Sequence, residues 1–266
     1  MLRAAYYNEI DPYAAQWLRN LINAGHIAAG DVDERSIVDV QASDIVGYVQ
    51  CHFFAGIGGW SAALRLARWS DDLSVWTGSC PCQPFSTSGK KAGATDRRHL
   101  WPAFGKLIAD CRPAIVFGEQ VARAAGHKWL SGVRSDLETH SYAVGAANLC
   151  AACVGKWHRR QRLYWVAIAD YQIRRPFNGC VAHCEGAGEG TALPRTLWQG
   201  NRSAGNGGPA TETSTVAWLR RWESEHGLRC IDDGLPGDVA IHRALGNAIV
   251  PQIAAAFIEA ALECRP

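Results

Sequence analysis

Residues 49–54 read as a buried strand that passes directly into Ala55-Gly56-Ile57-Gly58-Gly59, and a helix follows from Trp60 to about Trp69. A strand, a glycine turn and a helix in immediate succession point to an α/β architecture. The glycines allow a tight turn and let a ligand approach the amides at the helix N-terminus. The same turn also serves packing alone, so it needs company before it indicates a site.

The company comes from residues 77–86, Thr-Gly-Ser-Cys-Pro-Cys-Gln-Pro-Phe-Ser, which follow a short strand over 74–77. Pro81 fixes φ immediately before Cys82, and Pro84 restricts Gln83 to an extended conformation. The thiol of Cys82 is therefore expected to point one way at a strand's carboxyl end, as a covalent nucleophile requires. The competing readings are half of a metal site, for which the spacing is too short, and an inert buried thiol.

Two further strands end in acids. Residues 4–9 read as a strand terminating at Glu9, and Pro12 opens a helix on Ala15, Leu18, Leu21 and Ile22 that closes near Gly25. A carboxylate at a strand exit can accept ribose hydroxyls, and an acid at a helix start can equally be a dipole partner. Residues 114–117 form a short strand that stops at Gly118-Glu119-Gln120, placing Glu119 on the sheet edge expected to hold Cys82. A helix is expected over 100–111 and strands over 142–148 and 163–168. His158, Arg160 and Arg162 alternate just ahead of the last strand and share one face of it.

From 170 to 237 the composition turns to Gly, Ser, Thr, Asn and Arg, as in a loop-rich recognition element, before an Ala-rich helix over 251–262 returns to the core. The expected organisation is 1–169, 170–237 and 238–266. A chain of 266 residues suffices for one domain with a small appendage. No apolar run approaches the ~18 residues of a membrane span, and the N-terminal residues lack the apolar core of a signal peptide, so the cytoplasm is expected. Ten cysteines are then expected to be reduced. Net charge is only +2, yet paired arginines such as Arg97-Arg98 and Arg159-Arg160 offer local basic patches to phosphate, or simply solvated faces. Cys150, Cys153, Cys180, His183 and Cys184 are a minor zinc alternative; no metal is required.

Together these pieces resemble the DNA cytosine-5 methyltransferases. Phe54-Ala55-Gly56-Ile57-Gly58-Gly59 is similar to the family's glycine motif, Pro81-Cys82-Gln83 to its nucleophile motif, Gly118-Glu119-Gln120-Val121 to its Glu-Asn-Val motif, and Gly246-Asn247 with Val250-Pro251 to its closing motif. Arg160 and Arg162 match its Gln-x-Arg-x-Arg motif, with His158 in place of Gln. His52 replaces an Asp before the glycine turn, and Gln120 replaces Asn. The parts resembling the ribose and adenine motifs, Glu9-Ile10 and Asp31-Val32, precede the glycine motif instead of following it. A rearranged chain order with a preserved sheet order is therefore expected, with Asp71 and Asp72 as rival ribose acids.

The resemblance implies a Rossmann-like methyltransferase sheet with a small irregular target-recognition region, S-adenosylmethionine as donor, and duplex DNA with a flipped-out cytosine as substrate. It implies Cys82 as nucleophile, Glu119 as acid at N3, and Arg160 and Arg162 on the base and its phosphate. Donor contacts fall on Phe54, Ala55, Gly56, Ile57, Gly58, Gly59, Glu9, Ile10, Asp31, Val32, Pro81, Asn247 and Ala248. Substrate contacts fall on Gln83, Ser86, Arg97, Arg98 and Gln120. A monomer is expected, with room for a restriction endonuclease partner. The rival readings are a tRNA cytosine-5 methyltransferase and an inactive DNA- or donor-binding module.

Overall fold

The computed structural model describes residues 3–81, 100–151, 160–169 and 248–263, all within one unit made of 1–191 and 248–266. The expected recognition region, 170–237, lies outside the described residues. β1 (Arg3–Asn8) leads into α1 (Pro12–Asn23), which starts there because Asp11 caps it. The Asp11 carboxylate accepts from the amides of Tyr13 and Ala14, and Pro12 occupies the first turn. The buried side chains Ala14, Ala15, Leu18 and Leu21 form one stripe of this helix.

β2 (Gly30–Asp33), a 3₁₀ turn (Ile37–Asp39) and the short α2 (Ala42–Ile45) occupy a stretch that looks merely polar in sequence. β3 (Tyr48–Phe53) runs into the glycine turn and α3 (Gly59–Leu66), and β4 (Val75–Gly78) follows. Next come α4 (Trp101–Cys111), β5 (Ile115–Val121), α5 (Ala124–Thr139), β6 (Tyr142–Cys150), β7 (Gln161–Ala169) and α6 (Pro251–Glu263).

The strands form one seven-stranded sheet in the order β2-β1-β3-β4-β5-β7-β6. The first five are parallel, and β7 runs antiparallel between β5 and β6. Helices cover both faces, which explains why β4 is buried at every residue. On one face Phe53, Trp76 and Trp165 pack against Trp101 and Phe104 of α4 and Val133 of α5. On the other, Val75, Phe117 and Tyr164 pack against Trp60 and Leu64 of α3 and Ile253 and Phe257 of α6. The strand entering the glycine turn stands between β1 and β4, so the carboxyl ends of β1, β3, β4 and β5 are neighbours in space although β1 and β2 come first in the chain. Among the described residues no helix is long and apolar enough to cross a membrane.

β5 is longer than expected, and α5 has no counterpart among the expected elements. The strand over 114–117 continues to Val121, because β7 pairs with it through Glu119↔Tyr164, Gln120↔Leu163 and Val121↔Arg162. Helix α5 carries two glycines and several charges, Arg134 and Asp136 among them, and these hid its apolar face.

Candidate active site

The glycine turn sits at the carboxyl edge and is held from the neighbouring strand. The Ala55 amide donates to the carbonyl of Asn8 at 3.0 Å, and the Gly56 amide donates to Glu9 Oε2 at 2.7 Å. The other oxygen, Glu9 Oε1, accepts from the Asp11 amide at 2.9 Å. Glu9 is thus fixed by main chain on both sides, at the exit of β1, against the loop that opens α3. Gly56 has φ +55°, and a Cβ built there would meet nothing within 4 Å. The space above it is open, as a site that takes a ligand against bare backbone needs. Gly58 and Gly59 face inward: a Cβ on Gly59 would lie 2.7 Å from Ile249 Cγ1. Phe54, at φ +52°, packs edge-on to Phe104 at 6.0 Å, and Ile10 is 64% exposed beside Glu9.

Asp71, a rival acid, is elsewhere. It lies on the loop that enters β4, at the opposite sheet edge, where Arg65 Nη2 meets its Oδ2 at 2.7 Å. Asp72 follows on the same loop. Asp31 lies inside β2, opposite Tyr6, and accepts from the Tyr48 hydroxyl. The acid at the carboxyl end of β2 is Asp33, two residues beyond Asp31, and Arg35 and Tyr6 both bind its carboxylate. Val32 precedes it in the strand.

The second cluster gathers at the exit of β5. Glu119 is 7% exposed, and Arg162 Nε stands 2.7 Å from its Oε1. Because β7 is antiparallel, its amino end lies at the carboxyl end of β5, which brings Arg160 and Arg162 to one acid. Burial raises the Glu119 carboxyl above the usual carboxylate range, even though both guanidiniums pull it down. Burial also lowers the Arg160 guanidinium from its ordinary value. Arg160 Nη2 donates to the carbonyl of Ala248 at 2.8 Å, tying the segment that precedes α6 to the same place.

The residue after Glu119 points to the opposite face. Gln120 is 2% exposed; its Nε2 donates to the carbonyl of Cys80 at 3.3 Å, and its Oε1 accepts from the Val121 amide at 3.0 Å. The residue before Glu119 must be small: a Cβ on Gly118 would lie 2.2 Å from Trp165 Cε2.

Beneath the site runs a buried polar chain that the sequence does not announce. His52 is 1% exposed, with Nδ1 2.8 Å from Thr77 Oγ1 and Nε2 3.3 Å from Gln50 Oε1. Tyr7 stacks on its ring at 4.9 Å and donates to the Ala28 carbonyl. Burial depresses the His52 pKa to about 3, so the ring is neutral. The only signal for this chain in the sequence was the histidine itself, standing where the resembling motif carries an acid.

Pro81 is described and exposed, whereas Cys82, Gln83, Ser86, Arg97, Arg98, His158 and Asn247 lie outside the described residues. So do Cys153, Cys180, His183 and Cys184. Among the described residues no group of three or more His, Cys, Asp or Glu side chains could hold a metal ion.

Residues 2–183 match the family model for the C-5 cytosine-specific DNA methylase. The chain is 24% identical over 225 residues to the type II methyltransferase M.NlaX of Neisseria lactamica, covering 77% of this chain and 62% of that one. It is 29% identical over 116 residues to M.HhaI of Haemophilus parahaemolyticus, covering 40% and 36%. The chain thus spans less than two thirds of the length of either relative. Among solved structures, the S. pombe Dnmt2 methyltransferase superposes with a TM-score of 0.50 at 14% identity, over 98% of this chain and 99% of that one, a likeness of fold.

Proposed function

This chain belongs to the C-5 cytosine-specific DNA methylase family, and on that premise we propose that it transfers a methyl group from S-adenosylmethionine to C5 of a cytosine flipped out of duplex DNA. The observation that carries the reading is the buried Glu119 with Arg160 and Arg162, one strand away from the strand that leads into Pro81-Cys82.

Cytosine C5 is a poor nucleophile and needs activation. In the proposed reaction the Cys82 thiolate adds to C6, and electron density moves into the ring towards N3. Glu119, whose carboxyl burial holds above the usual range, carries the proton that N3 requires, a general-acid contribution of about 10²- to 10⁴-fold. Arg162 holds the base beside Glu119, and Arg160 braces the same corner through Ala248. After transfer, loss of the C5 proton lets Cys82 leave and restores the aromatic ring. A base stacked in a duplex is out of reach of such a thiol, so the base is flipped.

The residues at the other end of the edge suit the donor. The open space over Gly56 and the amides that open α3 suit the methionine part of the donor beside Phe54, and the carboxylate of Glu9 suits a sugar bearing two hydroxyls, with Ile10, Asp31 and Val32 towards the adenine. When bound, the donor supplies the electrophilic methyl. The geometry favours Glu9 over Asp71 and Asp72 as the ribose acid. Duplex DNA in the cytoplasm is the proposed substrate, with 170–237 as the recognition region and the protein acting as a monomer.

The test is transfer of labelled methyl from S-adenosylmethionine to duplex DNA and to tRNA, with Cys82→Ala beside the unmodified protein. Transfer to C5 of DNA cytosine that vanishes in Cys82→Ala is expected. Turnover by Cys82→Ala would refute the mechanism, and preference for tRNA would move the substrate.

A further inference from the structure

We propose that Gln120 is a positioning residue that sets the width of the opening between β4 and β5, and thereby the distance from the Cys80-Pro81 main chain to Glu119. The inference rests on the proposed role of Glu119 in activating the base. It concerns how far apart this chain holds the two walls of that site.

The main-chain ladder between β4 and β5 ends at Gly78↔Gly118. β4 stops there, whereas β5 continues through Val121 with β7 as its partner. Beyond that last pair no main-chain ladder among the described residues holds the two strands together, and their carboxyl ends are free to part. Across it runs one side-chain link among the described residues, from Gln120 Nε2 to the Cys80 carbonyl.

Three features make the link a spacer. Gln120 and Glu119 are consecutive strand residues, so they take opposite faces, and the amide that spans the gap leaves the face of Glu119 clear. Both ends of that amide are bound to main chain, Cys80 on one side and Val121 on the other, so its reach is fixed. Cys80 is itself 5% exposed and packed in the core cluster with Trp76 and Phe104, which leaves it little room to follow a shorter partner.

An asparagine is shorter by one methylene, about 1.5 Å. It cannot hold both contacts unless Cys80 moves towards β5 or the link breaks. A misplacement of about 1 Å at a reacting centre can cost about 10²-fold in rate. Gln120, which the resemblance sets among the substrate contacts, is buried; the proposal makes it instead a positioning residue that acts through the walls it spaces.

The test compares full-length wild type, Gln120→Asn and Gln120→Met in methyl transfer to duplex DNA, with donor affinity by calorimetry and thermal unfolding alongside. Asparagine keeps the amide but shortens it; methionine keeps the length but loses both hydrogen bonds. A fall of about tenfold or more in kcat is expected for both, with donor Kd and the KM for DNA within about threefold of wild type. Unchanged kcat in both variants would overturn the inference while leaving the proposed function intact. So would a loss that tracks unfolding and disappears on cooling. Absence of transfer by the wild type would remove the function and this inference together.

Discussion

Replacing Gly118 with alanine should damage this protein even though the substitution adds a single methyl group in a strand. The register pairs Gly118 with Trp165 across β5 and β7, and the indole lies over the glycine. A Cβ there would stand 2.2, 2.3 and 2.5 Å from Cε2, Cζ2 and Nε1 of Trp165. Carbon contacts are comfortable at about 3.5 Å or more, so the indole or the strand must retreat by more than an ångström. Trp165 is fully buried and meets Trp101 edge-on at 6.2 Å, so it has nowhere to retreat. Overpacking of this kind costs about 1–3 kcal/mol, against roughly 0.5–1 kcal/mol gained by removing a glycine from a strand. The net loss should be about 1–2 kcal/mol, or roughly 2–8 °C in the first unfolding transition. The assay is thermal unfolding followed by near-ultraviolet circular dichroism, for Gly118→Ala, Trp165→Leu and the double variant. Relief of the clash should make the double variant more stable than the sum of the singles by about 1 kcal/mol or more. Strict additivity, or an alanine variant that melts with wild type, would refute the reasoning.

Three further predictions concern charge. Glu119→Gln should lower kcat by roughly 10²- to 10⁴-fold; the carboxyl is raised by burial, so the wild-type rate should fall as pH rises through that elevated value, and residual activity in the variant should lack that limb. Burial holds the folded His52 pKa at about 3, against 6.5 for an ordinary histidine, so its contribution to stability is complete above about pH 6.5 and is lost as pH falls towards 3. Unfolding free energies from urea titrations should therefore fall with a slope of up to about 1.4 kcal/mol per pH unit over that window, and His52→Gln should flatten it; an identical slope in the variant would contradict the assignment. Glu9→Gln should weaken donor binding by about tenfold or more in calorimetry, whereas Asp71→Asn should leave donor affinity unchanged and cost at most about 1 kcal/mol through its half-exposed pair with Arg65; equal effects of the two on the donor would undo the choice between them.

Much of the sheet was legible because its strands are short runs rich in β-branched and aromatic residues that give way to glycine, as at 49–54 and 74–77. The glycine turn could be read for the same reason, since its φ values demand the residues that stand there. What could not be read depends on partners far away in sequence. The strand carrying Glu119 is longer than its apolar run because β7, over forty residues on, pairs with polar positions. β2 was hidden because as an edge strand it shows Asp31 and Asp33 to solvent and to tyrosines of β1 and β3. The choice between Glu9 and Asp71 could not be made from spacing alone, since both are acids near strand ends. It turns on which end, and that is a property of the sheet. The link from Gln120 to Cys80 likewise joins residues forty apart, and a glutamine beside a glutamate carries no sign of which face it takes.

The packing of α6 on α3 has a consequence for synthesis. Residues 248–263 supply Ile249, Ile253 and Phe257 to a layer whose other half, Trp60, Leu64 and Phe117, emerges from the ribosome much earlier. Until that late segment arrives, one side of a finished sheet shows aromatic rings to water. A nascent chain stalled before it would offer those rings to chaperones or to its own copies, so the docking of α6, more than formation of the strands, is the step exposed to aggregation.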